Sequence, residues 1–244
     1  MVAGLDIGNS TVSLKFFDQK TIFNEKKVWQ THLFELESLK KEIQLKKCEV
    51  VIVSSVVREL NTHLKTCLTR LGYKVYFVDQ SSSSFIDFSD YESYMGPDRV
   101  SEVIGARTIH EGPFCVVGMG TAITFSVIGQ NDTYIGGFIM PGVKTMLKSL
   151  SSNTSILPEL EIHQKPESFL GLNTKDNIKN GIFYLIFHGI KGILEEIKSS
   201  YKVKNIIGTG GFSHFFKNLF DFVDKDLIFK GLKHMYFFDI RGSK

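Results

Sequence analysis

Two short segments of this 244-residue chain carry the residue types that hold phosphate. Asp6-Ile7-Gly8-Asn9-Ser10 lies between two apolar runs, and Gly118-Met119-Gly120-Thr121-Ala122 lies between two more. Glycine in such a turn lets the backbone come close to a ligand. The exposed N–H groups and small hydroxyls then form an anion cradle. Asp6 would not bind phosphate itself; it would hold Mg2+, largely through waters, and the ion would offset the phosphate charge. Two such turns acting across a cleft would grip one nucleoside triphosphate, whereas either alone reads equally as a plain turn. A third glycine segment, Gly208-Thr209-Gly210-Gly211, follows an apolar run. It either seats an adenine or ribose by close backbone approach or is a tight strand–helix turn. Asp98 and Arg99 open a helical stretch after Gly96-Pro97. A carboxylate there can take a proton from a substrate hydroxyl, and the arginine can clamp an anion; the alternative is a capping pair on a surface helix.

These residues need elements to position them. Val2–Ile7 and Thr11–Phe17 read as two strands around the first turn, with a further turn at Asp18–Lys20. Leu33–Leu45 and Leu60–Leu71 have helical spacing, and Val50–Val57 is β-branched like a strand buried on both faces. Val75–Val78 is a strand, 80–97 an irregular surface loop, and Arg99–His110 a helix with Pro97 just before it. The pattern then starts again. Phe114–Val117 and Ile123–Ile128 flank the second turn, and Tyr134–Met140 ends at Pro141-Gly142. A long helix follows Asn173-Thr174, with Ile182, Ile186, Ile190, Leu194 and Ile197 on one face. Val203–Ile207 is a strand, an aromatic helix comes after Gly211, and Leu227-Ile228-Phe229 reads as a late short strand. Strands alternating with helices predict a partly parallel α/β sheet in each half. The repeat is about 110 residues, the size of one small domain. The boundary is expected at Gly112-Pro113, giving domains 1–112 and 113–244.

Composition narrows the function classes. Apolar residues make up 43% and charged residues 23%, with a formal net charge of +3 spread along the chain. That gives no clustered basic face for nucleic acid, and a mean hydropathy of +0.01 excludes wholesale disorder. No apolar run approaches membrane-spanning length, and the N-terminus has no secretory pattern. Cys48, Cys67 and Cys115 match no zinc or redox spacing. They read as reduced thiols of a cytoplasmic protein. Of the seven histidines, His63, His110, His163, His188, His214 and His234 show no ligand spacing.

Taken together and in order, Asp6-x-Gly8-Asn9-Ser10, Gly96-x-Asp98-Arg99, Gly120-Thr121-Ala122-x-Thr124, Gly136-Gly137-x-x-x-Pro141-Gly142, Asn173-Thr174 and Thr209-Gly210-Gly211 resemble the type III pantothenate kinases. The resemblance covers essentially the whole chain. It implies two ribonuclease-H-like domains of the actin/Hsp70/sugar-kinase type, with an ATP cleft between them. It implies transfer of the ATP γ-phosphate to the primary hydroxyl of pantothenate, the first step of coenzyme A synthesis, by a homodimer that needs Mg2+ and, in many members, K+ or NH4+. By position, Asp98 matches the general base. Gly96, Pro97, Arg99 and Tyr91 match the pantothenate pocket, with Tyr94 the alternative tyrosine, and Thr174 matches a threonine that reaches the neighbouring subunit's pantothenate. Asp6, Gly8, Asn9, Ser10 and Thr11 match the first phosphate loop, with Asp6 toward the metal. Gly120, Thr121, Ala122 and Thr124 match the second loop, and Gly210 and Gly211 complete the nucleotide site.

The chain departs from the family at one charged position. Gly118 stands where the second turn normally opens with Asp, an acid associated with the monovalent-cation site, and Ser126 stands where a further acid is common. Either the enzyme works without that cation or holds it through backbone carbonyls, or the chain is a regulatory or ligand-binding relative without activity. The lysine that some members carry is also absent at Ser13, with Lys15 two residues on, facing the same way along the strand.

Overall fold

The computed structural model describes residues Met1–Gly242. The chain forms two compact units, Gly112–Lys225 and the remainder, with the C-terminal segment from Asp226 belonging to the first. The expected assignment of all of 113–244 to the second domain therefore differs from the observed division.

The first unit begins with β1 (Val2–Ile7), β2 (Thr11–Phe17) and β3 (Ile22–Gln30). Next come α1 (Leu36–Leu45), β4 (Val50–Ser55), α2 (Arg58–Arg70), β5 (Lys74–Phe77) and α3 (Pro97–Arg107). Its sheet runs in the order β3-β2-β1-β4-β5. The β1–β2 and β2–β3 pairs are antiparallel, and β1–β4 and β4–β5 are parallel. Alternation sends Ala3, Leu5, Ile7, Val12, Leu14, Phe16, Val51 and Val53 to one face, where they pack with Leu39 and Ile43 of α1 and Leu64 and Leu68 of α2. The opposite face carries Gly4, Asp6, Ser13, Lys15 and Ser54. It is faced by α3 and by the C-terminal helix α6 (Leu227–His234), not by a strand as Leu227-Ile228-Phe229 suggested. Three apolar residues are too few to reveal a period. What decides for the helix is Gly231: its α-carbon lies against the Ser101 carbonyl of α3, while Gly105 of α3 lies against the Leu227 carbonyl. Without side chains there, the two helices meet backbone to backbone. Lys15 Nζ donates to Asp226 Oδ2 at 2.6 Å, fastening the start of α6 to β2.

The second unit repeats the plan. It comprises β6 (Phe114–Met119), β7 (Ala122–Ile128), β8 (Tyr134–Pro141), α4 (Val143–Ser152), α5 (Thr174–Tyr201), β9 (Asn205–Thr209) and β10 (Phe222–Val223). Its sheet order, β10-β9-β6-β7-β8, has the pairing directions of the first sheet. The apolar stripe expected along α5 is buried and joins Val117, Ile123, Phe125 and Ile206 in one core. Asn173 caps α5, its Oδ1 accepting from the Asp176 N–H at 3.0 Å. The aromatic segment after Gly211 is a 3-10 helix, Ser213–Leu219, broken at Phe216.

Candidate active site

In the first unit the functional side chains gather where β1 ends and α3 begins. The β1–β2 turn is closed by the Gly8 N–H donating to Thr11 O at 2.9 Å. Thr31 buttresses it from β3's end, its hydroxyl donating to Gly8 O at 2.7 Å and its N–H to Ser10 O at 3.0 Å. Asn9 and Ser10 are thereby held at an exposed tip. Asp6 sits two residues before Gly8, opposite Ser13 on β2 and Ser54 on β4.

Asp98 approaches from α3. Pro97 occupies the first turn of the helix, where its missing N–H leaves no bond unmade. Asp98 Oδ1 accepts the Arg99 N–H at 2.8 Å, which fixes the carboxylate's direction. A Cβ at Gly96 would lie 2.5 Å from that oxygen, so only glycine there leaves the carboxylate in place. Arg99 is buried at 6% exposure beside it.

Burial and mutual repulsion dominate the electrostatics. Burial pushes Asp6 up to about 7, with the Asp98 charge adding to the shift and Lys26 and Ser54 opposing it. Burial also raises Asp98, against the Arg99 N–H and guanidinium. Glu102, one turn after Asp98 on the same face of α3, is held well above the usual carboxylate range by burial and then by Asp98 and Asp6. Three carboxyls thus share one region with Arg99, and burial raises the proton affinity of each. Sequence reading missed Glu102, although its i+4 spacing from Asp98 was the available signal. It also missed Lys26, the cation acting on Asp6. Lys15 is committed to Asp226 and does not take the place of a lysine at position 13.

Among the described residues no three His, Cys, Asp or Glu side chains are grouped to chelate a metal. Asp6 supplies a hard oxygen donor, which suits Mg2+, an ion that keeps most of its waters and takes one or two carboxylates.

In the second unit, the β6–β7 turn closes with the Gly120 N–H donating to Ala122 O at 3.0 Å. The end of β8 lies directly under it. Gly142 N–H donates to Thr121 O at 3.0 Å, and the Thr145 hydroxyl donates to the same oxygen at 2.7 Å. A Cβ on Gly142 would be 2.3 Å from Gly120 O. Gly210, at φ +86°, comes as close to Met119, where a Cβ would be 2.6 Å from the carbonyl oxygen. Gly120, Thr121, Ala122, Gly142, Gly210 and Gly211 therefore converge at the shared end of β6 and β9, with Thr124 just behind on β7. Gly118 is buried mid-sheet between Thr124 and Thr209 and brings no acid to this end.

Two further expected residues lie on other segments. Thr174 is exposed at the first turn of α5, lining a cavity of about 380 Å³ with Leu150, Leu157, Ile178 and Leu185. Tyr91 sits in a loop turn, its N–H donating to Phe88 O at 3.0 Å. Tyr94 is exposed; burial, then the charge of Asp79 and last that of Asp98, raises its hydroxyl's proton affinity, while Arg58 lowers it.

Residues 4–196 match the family model of type III pantothenate kinases. A type III pantothenate kinase from Francisella tularensis subsp. holarctica is 30% identical over 248 residues, covering 96% of both chains. One from Jannaschia sp. is 39% identical over 147 residues, 59% of this chain and 56% of its own. Among solved structures, a protein assigned to the Baf family of transcriptional activators from Campylobacter jejuni superposes with TM-score 0.60 at 26% identity, covering 96% of each chain. A protein assigned as a 2-dehydro-3-deoxygalactonokinase from Sinorhizobium meliloti gives TM-score 0.62 at 12% identity, covering 97% of this chain and 96% of its own, and shows the sugar-kinase type of fold.

Proposed function

The chain belongs to the type III pantothenate kinase family, and from that membership we propose that it transfers the γ-phosphoryl group of ATP to the primary hydroxyl of pantothenate. The single observation that supports this reading most directly is Asp98, a carboxylate of raised proton affinity, oriented by the Arg99 N–H and bared by Gly96.

Phosphoryl transfer asks for positioning and charge neutralisation more than covalent chemistry. Asp98 orients the hydroxyl and takes its proton as the new oxygen–phosphorus bond forms. The bond between the γ-phosphorus and its bridging oxygen breaks, and ADP leaves. Bound Mg2+ would offset the phosphate charge, and Asp6 is the residue that would hold it. The exposed residues of the Gly8–Ser10 and Gly120–Ala122 turns would serve the phosphates in the same way, apart from the Gly8 and Gly120 N–H groups, which close those turns. Arg99 and Tyr94 contact the acceptor, and Thr174 serves the site of a second copy in a homodimer. The three cysteines are free, and no helix among the described residues is long and apolar enough to cross a membrane. Both agree with a cytoplasmic enzyme.

The test is pantothenate-dependent ADP formation with Mg2+, in Na+, K+ and NH4+ buffers. Asp98→Asn is expected to lose at least 100-fold in turnover, the usual scale of general-base loss, while still binding ATP. Unchanged turnover would remove Asp98 from its role. Because Gly118 supplies no carboxylate, Na+ alone should sustain activity. Silence in all three buffers, from a folded protein that still binds ATP, would favour the second reading: a regulatory relative, in line with the Baf-family assignment of the Campylobacter jejuni protein.

A further inference from the structure

A strip of residues leads away from Asp98 across the first unit. Gly96 comes first; a Cβ there would lie 3.7 Å from Val56 Cγ1, so the loop presses against the end of β4 with no side chain between. Tyr94 follows, 56% exposed. Burial and the charge of Asp79 raise its hydroxyl's proton affinity, Arg58 opposes them and Asp98 adds to them. Arg58, in the first turn of α2, holds its guanidinium 5.1 Å from the centre of the Tyr94 ring. The loop that carries Tyr94 is fixed rather than draped: Met95 is fully buried, and its N–H donates to Gln80 Oε1 at 2.9 Å.

Among the described residues Arg58 makes no ion pair and no hydrogen bond. Asp79, the other acid acting on Tyr94, already accepts the Ser81 N–H at 2.8 Å and the Ser81 hydroxyl at 2.6 Å. The arginine is thus held face-on to an aromatic ring with its donors uncommitted. A guanidinium presents a planar fork that matches a carboxylate. A general base at one end, an aromatic face between and a cation at the other end describe a seat for an alcohol with an anionic tail.

We infer that Arg58 receives the carboxylate of the acceptor alcohol and sets the preference for the acid over its neutral analogue. The inference rests on the kinase reading, because the acceptor is placed by Asp98.

Calorimetric binding to the full-length protein tests it, with pantothenate and with pantothenol, the analogue whose carboxylate is replaced by an uncharged alcohol. Arg58→Gln should weaken pantothenate about 10- to 100-fold, the scale of a lost charge-assisted hydrogen bond, and leave pantothenol unchanged. Arg58→Lys should recover part of the loss. Equal weakening of both ligands would show a merely structural role and overturn the inference. So would unchanged pantothenate binding in Arg58→Gln, or a wild-type protein that does not prefer pantothenate. ADP formation by the same wild-type preparation reports on the kinase reading separately. Arg58-dependent binding without turnover would sink that reading alone.

Discussion

The contact between α3 and α6 makes a sharp prediction for Gly231→Ala. A methyl group there would stand 2.0 Å from the Ser101 carbonyl oxygen and 2.7 Å from its carbon. A carbon tolerates an oxygen at about 3.3 Å, so the helices must part by about 1.3 Å. No flexible side chain can give way, because the nearest atoms are all backbone. Alanine gains about 1 kcal/mol over glycine from helix propensity. Overpacking in a tight core loses roughly 1–3 kcal/mol. The net expectation is destabilisation of up to about 2 kcal/mol. Gly192 supplies the control: it is exposed within α5 and has nothing within 4 Å of its Cβ position. Gly192→Ala should therefore stabilise, by about 0.5–1 kcal/mol. Urea unfolding of both variants separates the two effects. Ser101 lies one turn from Asp98, so parting the helices also shifts the proposed base, and Gly231→Ala should lose turnover that Gly192→Ala keeps. A Gly231→Ala protein as stable as Gly192→Ala would refute the close crossing.

Two further expectations concern charge. Burial, Asp98 and Asp6 raise Glu102 well above its ordinary 4.5 in the folded protein. The folded state therefore keeps a proton that the unfolded state releases. That contribution to stability is whole below pH 4.5 and fades as pH climbs toward the raised folded value. Glu102→Gln, neutral at every pH, should melt near wild type at pH 5 and above it at pH 8; parallel melting at both would discard the idea. Lys15→Met breaks the ion pair to Asp226, whose side chain is 35% exposed against 6% for Lys15. Breaking a fully buried pair costs about 3–5 kcal/mol. Solvent screening at Asp226 brings the expected loss to about 1–3 kcal/mol, with faster proteolysis of the segment after Asp226. An unchanged urea midpoint and digestion pattern would show that the pair holds nothing in place.

What could be read from the sequence was what is local. The strands around both turns, the stripe along α5 and the glycine segments follow from short periods and from residues whose backbone freedom is distinctive. β3 was missed because Asn24, Glu25, Lys26 and Lys27 break its alternation. The strand is the sheet's edge, where charged residues guard an open rim. α4 was missed because Val143–Ser152 buries only Val143 and Leu147 completely, too sparse a pattern to stand out. α6 was misread as a strand because its partner, α3, lies more than a hundred residues earlier. Nothing near Leu227 announces that Gly231 will meet Ser101.

The site divides along the same line. Asp6, Asp98 and the glycine turns could be named because each carries its chemistry within a few residues. Their proton affinities could not, since those depend on what the fold brings alongside. Asp6 is an unremarkable strand residue until the fold buries it and brings Asp98 from α3; burial, then the charges of Asp98 and Asp6, also raise Glu102 well above its ordinary value. Lys15 illustrates the converse. By strand alternation it faces the same way as Ser13 and Asp6, and sequence logic offers it to the ligand. Asp226, 211 residues away, takes it first. A catalytic assignment made from a motif is therefore a statement about which atoms can react. Which of them holds a proton, and which cation is still available, is decided by long-range partners such as Asp226, Gly231 and Tyr94.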